Sequence, residues 1–60
     1  MYKGKLTITH QLTGYITDVI ITPKNYKNKN SAINAVKKLG SKIESYYSVY
    51  SNMEYSTITL

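Results

Sequence analysis

The segment from residue 30 to residue 40 constrains the fold most, because it carries signals for both ends of an amphipathic helix. Asn30 or Ser31 can cap the first turn, since a short polar side chain there accepts a hydrogen bond from a free backbone N–H. At about 100° per residue, the aliphatic side chains fall in one stripe and the lysines lie outside it. Gly40 suits the left-handed conformation that often ends a helix. The sequence therefore predicts a helix over residues 31–39.

The end of this helix has a second interpretation. The apolar periodicity continues through Ile43, Tyr47 and Tyr50. A helix of that length would hold Gly40 in its interior, at a cost of about 1 kcal/mol relative to alanine. Residues 45–50, however, are poor in helix formers and rich in residue types that suit a β-strand. We therefore expect the helix to stop at Gly40 and a strand to follow.

The residues before the helix predict a β-hairpin. Residues 3–12 alternate between apolar and polar side chains, which is typical of a strand with one buried face. Residues 15–22 are rich in β-branched types, and Thr13 and Gly14 between them form a turn signal. Pro23 ends the second strand, because proline cannot donate a hydrogen bond to the sheet.

Two registers are open for this hairpin. A two-residue turn places Leu6 opposite Ile21, whereas a three-residue loop with Gly14 in the left-handed conformation places Leu6 opposite Ile20. The choice matters because a slip of one residue exchanges the two faces of a strand. We expect the first register, since it gathers more apolar area on one side of the hairpin.

A second hairpin is expected after the helix. Residues 43–50 and 53–60 can pair about a turn at Ser51 and Asn52. The predicted fold is therefore α+β with the order ββαββ, a four-stranded, mostly antiparallel sheet with the helix on one face. The alternative is ββαβ, with a long helix that ends near Tyr50.

The length of the chain limits it to a single small domain, residues 1–60. A chain of this size buries only about 60% of the surface that its unfolded form exposes, so its stability is expected to be marginal. The sequence has no cysteine, which fits a cytosolic protein better than a small secreted one. It also has no apolar run of membrane-spanning length. We therefore expect a cytoplasmic protein with no membrane partner.

The charge is basic and comes entirely from lysine. Eight basic residues against three acidic ones give a formal net charge of +5, which favours polyanionic partners without specifying one. The heavy use of Lys, Asn, Ile and Tyr is typical of an AT-rich coding sequence. It indicates a low-GC bacterium, its phage or plasmid, or a virus, and in the phage or viral case the protein would act in the host cytoplasm.

The residues needed for catalysis are scarce. The chain has one histidine, one aspartate and two glutamates, and it lacks the glycine-rich motifs that cradle phosphates. The nearest approach to a catalytic group is His10, which we expect close to Asp18 across the hairpin and interpret as a polar residue at the end of a strand. We therefore predict no enzyme activity, no catalytic residue, no cofactor, no metal site and no small-molecule substrate.

The first candidate surface combines the lysines of residues 24–42 with one tyrosine. Lysines can contact phosphates as flexible point charges, which positions a nucleic acid without reading its sequence. No arginine is present for bidentate guanine recognition. The predicted nucleic-acid-binding set is Lys24, Tyr26, Lys27, Lys29, Lys37, Lys38 and Lys42.

The second candidate surface is the sheet face opposite the helix, which the expected registers fill with aromatic and aliphatic side chains. Such a face usually marks an interface, and it could stack single-stranded bases, bind a protein or pair with its own copy. The predicted interface set is Ile16, Ile20, Tyr46, Tyr50, Met53 and Tyr55.

Two function classes follow. The first is a small basic module that binds nucleic acid, as a single strand or through its backbone. The alternative is a phage- or mobile-element-encoded protein that binds and inhibits a host or defence protein complex through its tyrosines, with lysines for electrostatic steering. The expected partner is thus a nucleic acid or a host protein or nucleoprotein complex, and a homodimer is a further expectation.

Overall fold

The computed structural model describes all 60 residues as three strands and one long helix. The elements are β1 (Tyr2–His10), β2 (Ile16–Ile21), α1 (Lys29–Ile43), a short 3-10 helix (Glu44–Tyr46) and β3 (Ser51–Thr59). The strands form one antiparallel sheet in the order β2-β1-β3. The α+β class is confirmed, but the predicted fourth strand is not present and the element order is the alternative, ββαβ. Helix α1 is not long and apolar enough to cross a membrane.

Helix α1 begins two residues earlier than predicted. Asn28 is the N-cap, and its side-chain oxygen accepts a hydrogen bond of 2.9 Å from the backbone N–H of Ser31. Asn28 and Asn30 are chemically equivalent caps. The local sequence could therefore not select between them.

The predicted stop at Gly40 is wrong, and so is the strand over residues 43–50. Gly40 lies inside α1 and is buried, and its carbonyl oxygen accepts the backbone N–H of Glu44. The helix continues because Ile43, one turn later, packs against the core. The chain then turns, and Ser51 and Asn52, predicted as a turn, are the first residues of β3.

The register of the first hairpin is the one that was not preferred. Leu6 lies opposite Ile20, and a bulge between Ile8 and Thr9 then places Thr9 opposite Ile16. Gly14 takes the left-handed conformation, with φ of 75°. Because the register is shifted by one residue, Ile20 shares the helix side with Leu6. Its neighbours in β2 therefore face the other side.

The core lies between β1 and α1. Leu6 and Ile8 of β1 are fully buried and cluster with Val36 of α1. Gly4, on the same face of β1, allows the closest approach. A Cβ atom on it would overlap the carbonyl oxygen of Ala32 and lie 2.6 Å from the Cβ of Val36. At this position the strand can therefore approach the helix so closely only because residue 4 has no side chain.

The helix does not cover the whole sheet. It packs against β1 and β3, whereas in β2 every residue except Ile20 is exposed. Strand β2 is therefore an edge strand with little cover on either face.

Candidate nucleic-acid interface

An open groove of about 660 Å³ runs between α1 and the loop that follows β2. On the helix side its wall is a stripe of side chains from Ser31 to Lys42, at spacings of three or four residues, and the loop supplies Lys24 and Tyr26. With a rise of about 1.5 Å per residue, the helical wall is about 16 Å long. The groove is thus long enough to hold an extended polymer segment.

The groove is basic. Lys24, Lys38 and Lys42 line it, and no acidic side chain does. Lys38 and Lys42 are one helical turn apart and both are exposed, while Lys24 stands on the opposite wall. An anion in the groove could therefore be approached by ammonium groups from both walls.

Thr22 fixes the loop wall to the sheet. Its hydroxyl oxygen accepts a hydrogen bond of 3.0 Å from the backbone N–H of Gly4 and donates one of 3.2 Å to the carbonyl oxygen of Lys24. The side chain is 1% exposed, so these bonds are shielded from water. Thr22 thereby positions the backbone that carries Lys24. No local sequence signal predicts this role, because nothing near Thr22 distinguishes it from the other threonines.

Tyr26 is the aromatic residue of the groove. Its backbone pairs with Tyr2 through two hydrogen bonds of 2.7 Å, so the loop is tied to the start of β1. The side chain is half-buried and lines the groove. One aromatic ring is therefore held at a fixed place among the lysines.

Three of the seven predicted nucleic-acid-binding residues do not line this groove. Lys27 and Lys29 lie where the chain enters α1, and the Lys29 ammonium nitrogen is 5.8 Å from the centroid of the Tyr2 ring. Lys37 is exposed on α1. The other four, Lys24, Tyr26, Lys38 and Lys42, lie together in the groove.

The predicted tyrosine-rich sheet face is not formed. Met53 and Tyr55 of β3 lie opposite Ile8 and Leu6 and pack on the helix side, and Ile20 packs there too. The cause is the missing fourth strand. With β3 paired to β1, the helix-facing side of β3 is the one that the expected hairpin had turned outward.

The other members of the predicted interface set are exposed but are not together. Tyr46 lies in the 3-10 helix and Tyr50 in the turn before β3. Ile16 lies opposite Thr9, on the sheet face away from the helix. On that face it is joined by Val19 and Ile21 of β2 instead of by tyrosines.

Two further exposed apolar side chains lie on neighbouring segments near the tip of the first hairpin, where the sequence predicts no surface. The backbone N–H of Gln11 donates a hydrogen bond of 2.7 Å to the carbonyl oxygen of Tyr50, which brings the hairpin loop beside the turn before β3. Leu12 is 77% exposed and Val49 87% exposed. These side chains come from segments almost 40 residues apart, so no local pattern could have revealed them.

The polar groups considered for catalysis have structural partners. The Nδ1 atom of His10 accepts the backbone N–H of Leu12 at 3.2 Å, which stabilises the hairpin turn. Asp18 accepts a hydrogen bond of 2.7 Å from the Tyr47 hydroxyl. This bond, together with partial desolvation and the negative charge of Asp18, raises the pKa of Tyr47 above its ordinary value of 10.0. No three His, Asp or Glu side chains come together as a candidate metal site.

No protein-family model, curated protein or solved structure matches this chain.

Proposed function

We propose that the protein is a small, non-catalytic module that binds single-stranded nucleic acid in the groove between α1 and the loop after β2. The protein would contact the phosphate backbone and one stacked base of the nucleic acid. The observation that supports this is the convergence of Lys24, Lys38 and Lys42 around Tyr26, with no acidic residue in the groove. A positively charged groove with an aromatic platform is the usual design of proteins that bind single strands without sequence preference.

The chemistry of the groove favours backbone contact over base readout. Lysine offers a strongly hydrated point charge and no planar fork, so it neutralises phosphates without selecting a base. The Tyr26 ring can stack on any base, because every base has a π-face. We therefore expect little sequence specificity. A cytoplasmic site of action, in the host cell if a phage or virus encodes the protein, belongs to the same proposal.

The salt dependence of affinity tests the proposal. For single strands, each neutralised phosphate contributes about 0.7 to the slope of log affinity against log salt, so three lysines give a slope of about −2. Replacing Lys38 by glutamine should reduce the slope by about 0.7. Replacing Tyr26 by alanine should cost about 1–3 kcal/mol of binding free energy without changing the slope, because stacking releases no counterions.

Adjacent lysines provide the matched control. Lys37→Gln removes the same charge from the same helix as Lys38→Gln, but Lys37 lies outside the groove. We expect Lys37→Gln to leave the slope nearly unchanged. Equal losses in the two variants, or binding that disappears by about 150 mM salt with no effect of Tyr26, would show that only the net charge acts. The groove would then not be the site.

A protein partner is the second candidate, and the exposed apolar side chains near the hairpin tip favour it. Leu12 and Val49 lie on segments joined by the bond between Gln11 and Tyr50, and large exposed apolar side chains brought together in this way are typical of protein interfaces. The phage-encoded inhibitor of a host or defence complex would use this surface, with the lysines for steering. Capture from a nuclease-treated host lysate that is lost on Leu12→Ser with Val49→Ser, but retained on Lys38→Gln, would favour this candidate over the first.

A further inference from the structure

Strand β2 has the properties of a strand that pairs with another strand. It is at the edge of the sheet, and the helix does not pack over it. On the face away from the helix it carries Ile16, Val19 and Ile21, which are 64%, 46% and 46% exposed. A long hydrophobic edge with no lysine or proline inside it is normally protected in monomeric proteins, because it attracts further strands. Here that protection is limited to the bulge between Asp18 and Ile16 and to the single carboxylate of Asp18.

The free hydrogen-bonding groups of this edge can be identified. Thr22 donates its backbone N–H to the carbonyl oxygen of Gly4, so this pair is hydrogen-bonded to the central strand. In an antiparallel ladder such pairs alternate with pairs whose N–H and C=O groups point away. The alternation turns the N–H and C=O groups of Val19 and Ile21 outward, along the edge of the sheet.

These outward groups are self-complementary. In an antiparallel pairing of two β2 strands, Val19 of one copy and Ile21 of the second copy can exchange both of their hydrogen bonds. The twofold axis repeats the same pair, which gives an isologous interface. Pro23 has no N–H, so the ladder ends there. On the face away from the helix, the exposed aliphatic side chains of both copies would then form one cluster.

The charge distribution also favours a second copy at this edge. The chain carries +5, so two copies repel each other over most of their surface. Residues 6–23 contain no lysine, and Asp18 is the one ionised group in β2. The same antiparallel register puts Asp18 opposite Thr22 of the second copy, beside the turn that carries Lys24. The two copies would therefore meet at the part of the chain that carries the least positive charge.

The other edge of the sheet lacks these features. The face of β3 away from the helix presents Asn52, Glu54 and Ser56, opposite Thr9, Thr7 and Lys5 of β1, and near its end one aliphatic side chain, the half-buried Ile58 opposite Lys3. The polar and charged side chains would lose hydration in an interface without gaining apolar contact. The two edges are therefore not equivalent, and β2 is the one suited to self-pairing.

We infer that the protein forms a homodimer by antiparallel pairing of β2 with β2 of a second copy, which joins two three-stranded sheets into one of six strands. This inference does not depend on the proposed nucleic-acid function. A standard interface buries about 800 Å² per partner, which is a large share of the 4306 Å² that the whole chain exposes. The edge of one six-residue strand offers less than this, so the interface is small. We therefore expect a concentration-dependent dimer.

Sedimentation equilibrium of the full chain tests the inference. Between about 1 and 200 μM, a range that brackets the affinity of small interfaces, the average mass should rise from that of a monomer toward that of a dimer. Over the same range, amide exchange at Val19 and Ile21 should slow, because their N–H groups become bonded. A constant monomer mass, or exchange at these two amides that is independent of concentration, would overturn the inference.

Matched variants identify the edge. Val19→Lys places like charges across the proposed interface and should weaken dimerisation at least about tenfold, while Ser56→Lys adds the same charge to the same sheet face on β3 and should not. Val19→Pro removes an outward N–H without removing a bond to β1, and it should also give a monomer. Equal weakening by Val19→Lys and Ser56→Lys, or a dimer that survives Val19→Lys, would contradict pairing through β2.

Discussion

The substitution Gly40→Ala decides between the two interpretations of the helix end. If Gly40 were a left-handed cap, alanine would be strained in its backbone wherever the neighbouring side chains lay. In the structure Gly40 is an interior residue of α1, and the positive φ angles of the chain do not include it. Its buried face instead meets Tyr55: a Cβ atom on residue 40 would overlap the Tyr55 hydroxyl and lie 2.9 Å from its Cζ.

The change in the free energy of unfolding on Gly40→Ala is the sum of two opposed effects. Alanine in a helix interior is worth about 1 kcal/mol more than glycine. Forcing a methyl group into a filled space costs about 1–3 kcal/mol, although the Tyr55 ring can move part of the way, since its hydroxyl makes only a contact of 3.8 Å with the Met53 sulfur. We therefore expect Gly40→Ala to lower the free energy of unfolding by up to about 2 kcal/mol, which for a domain of this size lowers Tm by about 4–8 °C per kcal/mol.

A double-mutant cycle with Tyr55→Leu separates the two explanations. Leucine removes the ring, so the clash disappears and the helix propensity remains. In the Tyr55→Leu background Gly40→Ala should therefore stabilise the protein by up to about 1 kcal/mol, with a coupling energy of about 1–3 kcal/mol between the two sites. Urea unfolding followed by circular dichroism measures all four free energies. An equal loss of unfolding free energy in both backgrounds would refute the contact between residue 40 and Tyr55, and would favour a left-handed cap at Gly40.

Three further predictions concern the groove wall at Thr22, the close approach of β1 to α1 at Gly4, and the bond between Tyr47 and Asp18. Thr22→Val should cost about 1–3 kcal/mol of unfolding free energy, because the buried N–H of Gly4 loses its acceptor, and Thr22→Ser should recover most of it in the same urea titration. Gly4→Ala should cost at least about 1–3 kcal/mol, because the methyl group would meet a helix carbonyl that cannot rotate away. A variant as stable as the parent would show that β1 and α1 do not approach each other closely at residue 4. The hydrogen bond between Tyr47 and Asp18 should stabilise the fold fully below the ordinary tyrosine pKa of 10.0, and this stabilisation should be lost as the pH rises through the higher pKa of Tyr47 in the folded state. A titration followed by tyrosinate absorbance should show one tyrosine that ionises later than the others. This component should be absent in Tyr47→Phe and should move to lower pH in Asp18→Asn.

The central part of α1 could be predicted from the sequence because its signals are local. The apolar stripe that contains Ala32 and Val36 has helical periodicity, and both of these residues are buried. The stop at Gly40 failed because glycine has two uses, a left-handed cap and a close contact. Which use applies depends on Tyr55, a residue 15 positions away in the sequence. A local signal cannot contain that information.

The register of the first hairpin failed for a related reason. Apolar area on one face cannot select the register, because the second strand has aliphatic residues on both of its faces, Ile20 on one side and Val19 and Ile21 on the other. A strand with this pattern has a weakly specified register. The observed register is stabilised by contacts on the sheet face that packs against the helix, where Ile20 contacts the core and the hydroxyl of Thr22 accepts a hydrogen bond from the backbone N–H of Gly4. The same pattern leaves two aliphatic side chains outside, which is the basis of the proposed dimer.

The types of residue in the candidate groove could be predicted from the sequence, but which individual residues line it could not. The sequence indicated a lysine and tyrosine set, but lysines are flexible surface residues in almost any environment. Only the path of the loop decides which of them converge. Lys37 and Lys38 are neighbours in sequence and differ by about 100° around the helix, so one lies outside the groove and the other inside it.

If the protein binds nucleic acid in its groove and also dimerises through β2, one nucleic-acid strand can occupy both grooves of the dimer. Edge pairing about a twofold axis perpendicular to the sheet places both helices on the same side of the six-stranded sheet, so both grooves also lie on that side. A single strand long enough to reach both would bind its second groove at a high effective concentration. The parent protein should therefore prefer long oligonucleotides to short ones more strongly than the monomeric variant Val19→Pro does, while short oligonucleotides should bind both equally because this substitution leaves the charge unchanged. The same length dependence in parent and variant would mean that the grooves act separately, whatever the oligomeric state.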